Sequence, residues 1–354
     1  MTRSLRPILF QIACALGAVT MVSMRGAEPL AFYVNYSARV PTAPLVAHPL
    51  SIVHPDAALD LEAAHRAGNT VLAYLSFGEV AADAPYRAEV VRRGLPLAGR
   101  NDLWKSDLID LTDPRWAELL VDTLAAKAAQ RGFDGFFLDT LDSVELISPG
   151  DAPRQAALRR GLVAAVQRLR AAFPQKRIVV NRGFGAFAEL RDAIDGVLVE
   201  SVFATHDFAT KTNRPVAAAD TAFLLAELGK IAAAGRVVYV LDYADPAPAA
   251  AAQAMAVAGR IRALGYHAFV STPALDGAAL APLRPVARRI CGFYGNLSTI
   301  QTEQVIWPAE SFTAQKLQLP LEYLGYEVDF FKLTTAADLP VLGEEYRAIV
   351  LPRT

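Results

Sequence analysis

The chain has very little cysteine. Cys14 and Cys291 are its two cysteines in 354 residues, too few for a disulfide framework or a cysteine-ligated zinc site. A surplus of one charge is missing as well: 35 Lys and Arg against 36 Asp and Glu give a formal net charge of −1. No basic stripe stands out from that balance, so nucleic acid is not an expected partner. The histidines (His48, His54, His65, His206 and His267) show no metal-ligand spacing, and no acidic cluster resembles a calcium loop. Neither a metal nor another cofactor is expected. No GxGxxG follows the first apolar run, and there is no Walker loop or nucleophile elbow. What the chain has in plenty is apolar residues, 53% of the total, ample for a large core and incompatible with disorder.

One long uncharged run exists, at the N-terminus. Arg3 and Arg6 precede the stretch Ile8–Met24, and Arg25-Gly26-Ala27 follows it. This reads as a secretory signal over residues 1–27 and places the protein in the periplasm or outside the cell. Arg25 is a poor residue at the −3 position of a cleavage after Ala27, so an uncleaved anchor, the chain's one route to a membrane, is the alternative. Cys14 raises a lipoprotein signal, which Gln11 opposes. Once the segment is removed, Cys291 stands alone and no internal disulfide can form.

From Leu30 to about Pro285, short apolar runs alternate with amphipathic helical stretches. The runs are Leu30–Tyr36, Leu50–Val53, Thr70–Ser76, Phe133–Asp139, Arg177–Asn181, Gly196–Glu200, Arg236–Asp242 and Tyr266–Ser271. They are nearly continuous in apolar residues, as parallel strands buried on both faces require. Asp113-Pro114 supplies a cap and a first-turn proline before a helix over Trp116–Arg131, which Gly132 ends. Further helices are expected over about 57–67, 154–173, 185–193, 218–234 and 249–264. Eight alternations over about 255 residues fit a (β/α)8 TIM barrel spanning 28–285 better than a doubly wound sheet. After it the pattern restarts with strands Arg289–Gly295, Glu327–Lys332 and Arg347–Leu351 around a helix near Ala309–Leu324. Residues 286–354 thus read as the start of a flavodoxin-like α/β unit, cut from a longer protein.

Two of the apolar runs share a pattern: Asp134-Gly135-Phe136-Phe137-Leu138-Asp139 and Asp195-Gly196-Val197-Leu198-Val199-Glu200. Five steps at about 3.3 Å put the acids of each run roughly 16 Å apart, at opposite strand ends. In a barrel the C-terminal strand ends carry the active site, so Asp139 and Glu200, closing strands 4 and 6, are expected to face each other across one mouth without being neighbours. Asp134 and Asp195 belong to the bottom, where capping or turn formation accounts for them. Two carboxylates flanking a cleft are what glycoside hydrolysis needs, one to protonate the leaving oxygen and one to attack or to activate water. Other strand ends are polar too: Tyr36, Ser76 with Glu79, Asn181, Asp242 with Tyr243, and Ser271. Together they describe a wet, acidic cleft with aromatic walls, suited to sugars. Trp104 lies on the long connection between strands 3 and 4, as a subsite wall or as a packing anchor.

These residues also carry a resemblance. Tyr74-Leu75-Ser76-Phe77-Gly78-Glu79, Trp104-Lys105 with Asp110-Leu111-Thr112-Asp113-Pro114, Gly135–Asp139 with Asp142, and Glu200-Ser201 resemble the endo-α-1,4-polygalactosaminidase-type glycoside hydrolases, families 114 and 166. Among these the chain looks most like the hydrolase domains of Pel-type exopolysaccharide hydrolase/deacetylases, over about Ala31 to Pro285. The resemblance implies that Asp139 and Glu200 are catalytic. It further implies that the substrate is a galactosamine-rich, partly de-N-acetylated and so cationic exopolysaccharide. Exopolysaccharide secretion machinery is the implied partner. Glu79, Asp142 and Asp242 suit a cationic polymer by charge, and Trp104 and Lys105 join them as substrate-binding candidates. By analogy with other barrels acting on α-glycosides, retention is expected, with Asp139 as nucleophile and Glu200 as acid/base. A non-catalytic polysaccharide-binding module is the competing reading. An aldolase or deacetylase would need a lysine or metal ligands in the mouth, and Lys105 is on a loop.

Overall fold

In a computed structural model of the chain, residues 30–281, 289–295, 307–333, 340 and 346–350 are described. The expected signal segment and Cys14 lie outside them. Eight parallel strands form one sheet in the order of the sequence. They are β1 (Tyr33–Asn35), β2 (Leu50–Val53), β3 (Thr70–Ser76), β4 (Gly135–Asp139), β5 (Arg177–Asn181), β6 (Gly196–Glu200), β7 (Val237–Tyr243) and β8 (His267–Ser271). A parallel bridge between Ala31, two residues before β1, and Ala268 of β8 closes the sheet into a TIM barrel. The strands are almost wholly buried because helices cover them outside and side chains fill them inside.

The capped helix forms as expected. Asp113 accepts the N–H of Arg115 at 2.9 Å, Pro114 opens the first turn, and the helix ends at Arg131 before left-handed Gly132. Its turns widen to π geometry over Leu119–Ala125. Trp116 points inward and donates its indole N–H to the carbonyl of Phe77 at 2.8 Å. The stretch expected as a helix over 57–67 is helical only over Leu61–Arg66, because Asp60 caps it by accepting the Ala63 N–H. The one expected over 185–193 shrinks to a short turn and Phe187–Leu190.

The Asp-Gly repeat is a structural device at the barrel's lower end. Asp134 accepts the N–H of Val71 on β3 at 2.8 Å, and Asp195 accepts the N–H of Ile178 on β5 at 2.7 Å. Each acid thereby ties its strand to the preceding one. Each glycine admits the following one: a Cβ on Gly135 would lie 2.0 Å from the Arg177 carbonyl oxygen, and one on Gly196 2.8 Å from that of Val237.

Two additions decorate the upper rim. The long connection after β3 contains a three-stranded antiparallel sheet, Glu79–Ala81, Leu97–Asn101 and Ser106–Ile109, with the last in the middle. After β6 an antiparallel hairpin runs Ala204–Asp207 and Thr212–Pro215. The described residues from Arg289 onward belong to a second compact unit. It has parallel strands β9 (Arg289–Tyr294), β10 (Glu327–Lys332) and β11 (Tyr346–Val350), with β9 in the centre. Its helical segment, Thr313–Tyr323, precedes β10, and buried Cys291 lies on β9. Among the described residues no helix is long and apolar enough to cross a membrane.

Candidate active site

Register decides which strand-end residues meet. Ser76 pairs with Asp139, Asn181 with Leu198, Glu200 with Leu241, and Tyr243 with Ser271. Side chains alternate along a strand and partners in register share a face. Ser76, Asp139, Glu200 and Tyr243 therefore point inward, together with Tyr74 two residues before Ser76. Asp242 points the other way.

The two candidate carboxylates do not span the mouth; they flank β5. Asn181 Nδ2 lies 2.8 Å from Asp139 Oδ1 and 2.8 Å from Glu200 Oε1. Those two oxygens therefore lie no more than 5.6 Å apart, twice 2.8 Å. Asp139 also accepts from the Tyr74 hydroxyl at 2.9 Å and from the Thr140 N–H at 2.8 Å, which fixes its plane. Glu200 accepts from the Tyr243 hydroxyl. Withdrawal from water pushes the Glu200 carboxyl up, and the neighbouring charge of Asp139 adds to this. Burial, reinforced by the same acids, holds the phenols of Tyr36, Tyr74 and Tyr243 above their usual range, so all three keep their protons.

Around the pair opens a cleft of about 1090 Å³. Of the expected binding residues, Tyr36, Ser76, Trp104, Asp142, Asn181 and Tyr243 line it. Asp142 accepts the Gly183 N–H at 3.0 Å, and burial pushes its carboxyl up to about 6, with Glu145 contributing. Trp104 is 54% exposed and meets Phe208, from the hairpin after β6, edge-on at 4.9 Å. Its anchor and wall readings merge: it braces one loop against another while keeping a free face.

Four expected binding residues do something else. Asp242 is fully buried and accepts the backbone N–H groups of Val202, Phe203 and Ala204 at 2.7, 2.8 and 3.0 Å. It holds the turn after Glu200, outside the cleft. Ser271 is also fully buried and donates to the Ala278 carbonyl at 2.7 Å. Glu79 borders the cleft, but its carboxylate is taken up by Asn101, Ser106 and Ser143, which ties the three-stranded loop sheet to the segment after Asp139. Lys105 is exposed at a left-handed turn, φ 53°, and is not among the cleft residues. Residues not expected as ligands also line the site, among them Tyr74, which alternation with Ser76 could have found, and Arg182, whose guanidinium donates to the Glu200 carbonyl at 2.8 Å.

An eight-stranded barrel with paired acids over β4 and β6 narrows the field, and comparison with known proteins decides the family. Residues 28–285 match the model of glycoside-hydrolase family GH114. The chain belongs to that family. This GH114 chain is accordingly a glycoside hydrolase. It is 32% identical to the glycoside hydrolase domain of PelA from Pseudomonas aeruginosa, covering 73% of this chain and 100% of that one, with a TM-score of 0.65. It shares its fold with Aspergillus fumigatus Ega3, solved in complex with galactosamine, at 14% identity and a TM-score of 0.51 over 74% of this chain and 98% of that one. An uncharacterized protein of Deinococcus radiodurans is 29% identical over 217 residues, 59% of this chain and 66% of that protein's length.

Proposed function

We propose that this GH114 enzyme cleaves α-1,4 linkages in a galactosamine-rich exopolysaccharide with retention of configuration. Asp139 is the nucleophile and Glu200 the acid/base. The observation that carries this reading is the shared Asn181 nitrogen, which limits the facing carboxylate oxygens to 5.6 Å. Retaining glycosidases hold their carboxyls about 5–5.5 Å apart, whereas inverting ones need about 6.5–9.5 Å to admit water. In the first step an Asp139 oxygen attacks the anomeric carbon while the glycosidic C–O bond breaks, and the Glu200 proton passes to the leaving oxygen. In the second, the Glu200 carboxylate takes a proton from water. The resulting hydroxide character attacks the anomeric carbon, the ester bond breaks, and Asp139 leaves as a carboxylate. The raised Glu200 carboxyl suits a group that must enter the cycle protonated.

An amino-sugar substrate is supported by the galactosamine in Ega3 and by the acids lining the cleft. Asp83, Asp142 and Glu145 lie there beside the catalytic pair, a surface that favours a polymer with free amines over an uncharged one. The basic, apolar N-terminal segment supports action in the periplasm or outside the cell.

The test is digestion of acetylated and de-acetylated α-1,4-galactosaminan, with products identified by mass spectrometry and their first-formed anomer by NMR. Release of oligomers as the α anomer is expected, and Glu200→Gln should abolish it without changing the fold. Release as the β anomer would overturn retention, no release would overturn the substrate, and full activity in Glu200→Gln would remove Glu200 from the mechanism.

A further inference from the structure

We propose that Asn181 is a positioning residue for both halves of the reaction, a bridge whose two amide hydrogens hold Asp139 and Glu200 at attack distance. The inference rests on the two-carboxylate reading above. Its first support is geometric. One nitrogen contacts both acids at 2.8 Å, and a carboxamide NH2 has two hydrogens, one for each. Through the cycle the pair carries one negative charge, first on Asp139 and then, once Asp139 is esterified, on Glu200. An N–H directed at each oxygen meets the charge on whichever side it stands.

The second support is the other end of the same amide. Asn181 Oδ1 is buried without a donor among the described residues. Buried acceptors are seldom left so. Rotating the amide would present that oxygen to two carboxylates, so the orphan is the cost of keeping the NH2 toward them.

The third support is the backbone. Thr140, Arg182 and Ser201, directly after Asp139, Asn181 and Glu200, adopt left-handed φ values of 63°, 52° and 60°. Such residues are uncommon outside glycine, most of all when β-branched like Thr140, and they gather at functional sites. Strain therefore marks three adjacent strand ends, and Asn181 stands among them on equal terms with the two acids.

The experiment is the pH profile of kcat/KM for Asn181→Ala, with Asn181→Ser as a smaller change that keeps one donor. The Asn181 N–H favours the ionised form of Glu200. Its loss raises the Glu200 carboxyl, so the acid stays protonated to higher pH and the basic limb moves up. In Asn181→Ala we expect kcat/KM to fall about 10²-fold, as for loss of one preorganised donor. The basic limb should rise by about half a pH unit or more, with the melting temperature nearly unchanged. Asn181→Ser should fall between. A basic limb that stays in place in both variants, or activity lost only in step with the folded fraction, overturns the bridge. If Glu200→Gln still cleaves, the underlying two-acid reading fails instead, whatever Asn181 does.

Discussion

Asp242 offers the sharpest separation of a structural from a binding role. Its carboxylate receives three buried N–H groups, one on Oδ1 from Val202 and two on Oδ2 from Phe203 and Ala204. Asp242→Asn keeps the shape but makes one of those oxygens a donor. With the amide oxygen left facing Phe203 and Ala204, the NH2 meets the Val202 N–H, which is then orphaned at a cost of about 1–3 kcal/mol. The two remaining bonds lose charge assistance, about 0.5–1 kcal/mol each. These losses sum to about 3 kcal/mol. Relief of the buried charge, whose desolvation pushes the Asp242 carboxyl up to about 6, offsets part of them. The melting temperature of a barrel this size should therefore fall by at most about 6–12 °C. Thermal unfolding should be followed at about pH 7.5, where an Asp242 carboxyl pushed up to about 6 by burial is ionised. KM for the polymer, measured well below the transition, should stay within about twofold, since the side chain faces away from the cleft. An unchanged melting temperature with a several-fold rise in KM would refute the argument and return Asp242 to the substrate.

Trp104→Ala should raise KM on the polymer about 3–10-fold, the loss of one stacking surface, and leave KM for the shortest cleavable oligomers unchanged; an equal rise for both would mean that Trp104 acts only through its contact with Phe208. Gly135→Ala should prevent folding or cost several kcal/mol, because its Cβ would sit 2.0 Å from a carbonyl oxygen, whereas Gly196→Ala, with its nearest atoms at 2.8 and 2.9 Å, should be milder. Melting temperatures in that order support the close approach of strands at the barrel floor, and two neutral substitutions would sink it.

The barrel strands were legible because they are buried on both faces, so each appears as an uninterrupted apolar run with a polar end. Their last residues were a harder problem. Asp242 and Tyr243 are neighbours in sequence and both end an apolar run, yet one turns to the surrounding shell and the other to the cleft. Only the pairing of β7 with β6 settles which. The same alternation would have placed Tyr74 beside Ser76. The loop sheet after β3 left little trace, since Leu97–Asn101 is exposed or half-buried along its length and so carries no apolar run. Asn181 was visible as a polar strand end facing substrate. Its contact with two acids depends on β5 lying between β4 and β6 at the right height, which no local pattern states.

The Asp-Gly pairs beneath the barrel bear on the chemistry above them. A parallel strand that slipped by one residue would turn its terminal acid from cleft to shell. Asp134 and Asp195 each engage one particular N–H on the preceding strand, and Gly135 and Gly196 let the next strand approach closely. They work as locating pins, setting the elevation of Asp139 and Glu200 from about 16 Å below. The spacing between the two acids is thus tied to contacts at the floor of the barrel, and on the proposed mechanism Asp134→Ala or Asp195→Ala should lower cleavage although neither residue lines the cleft.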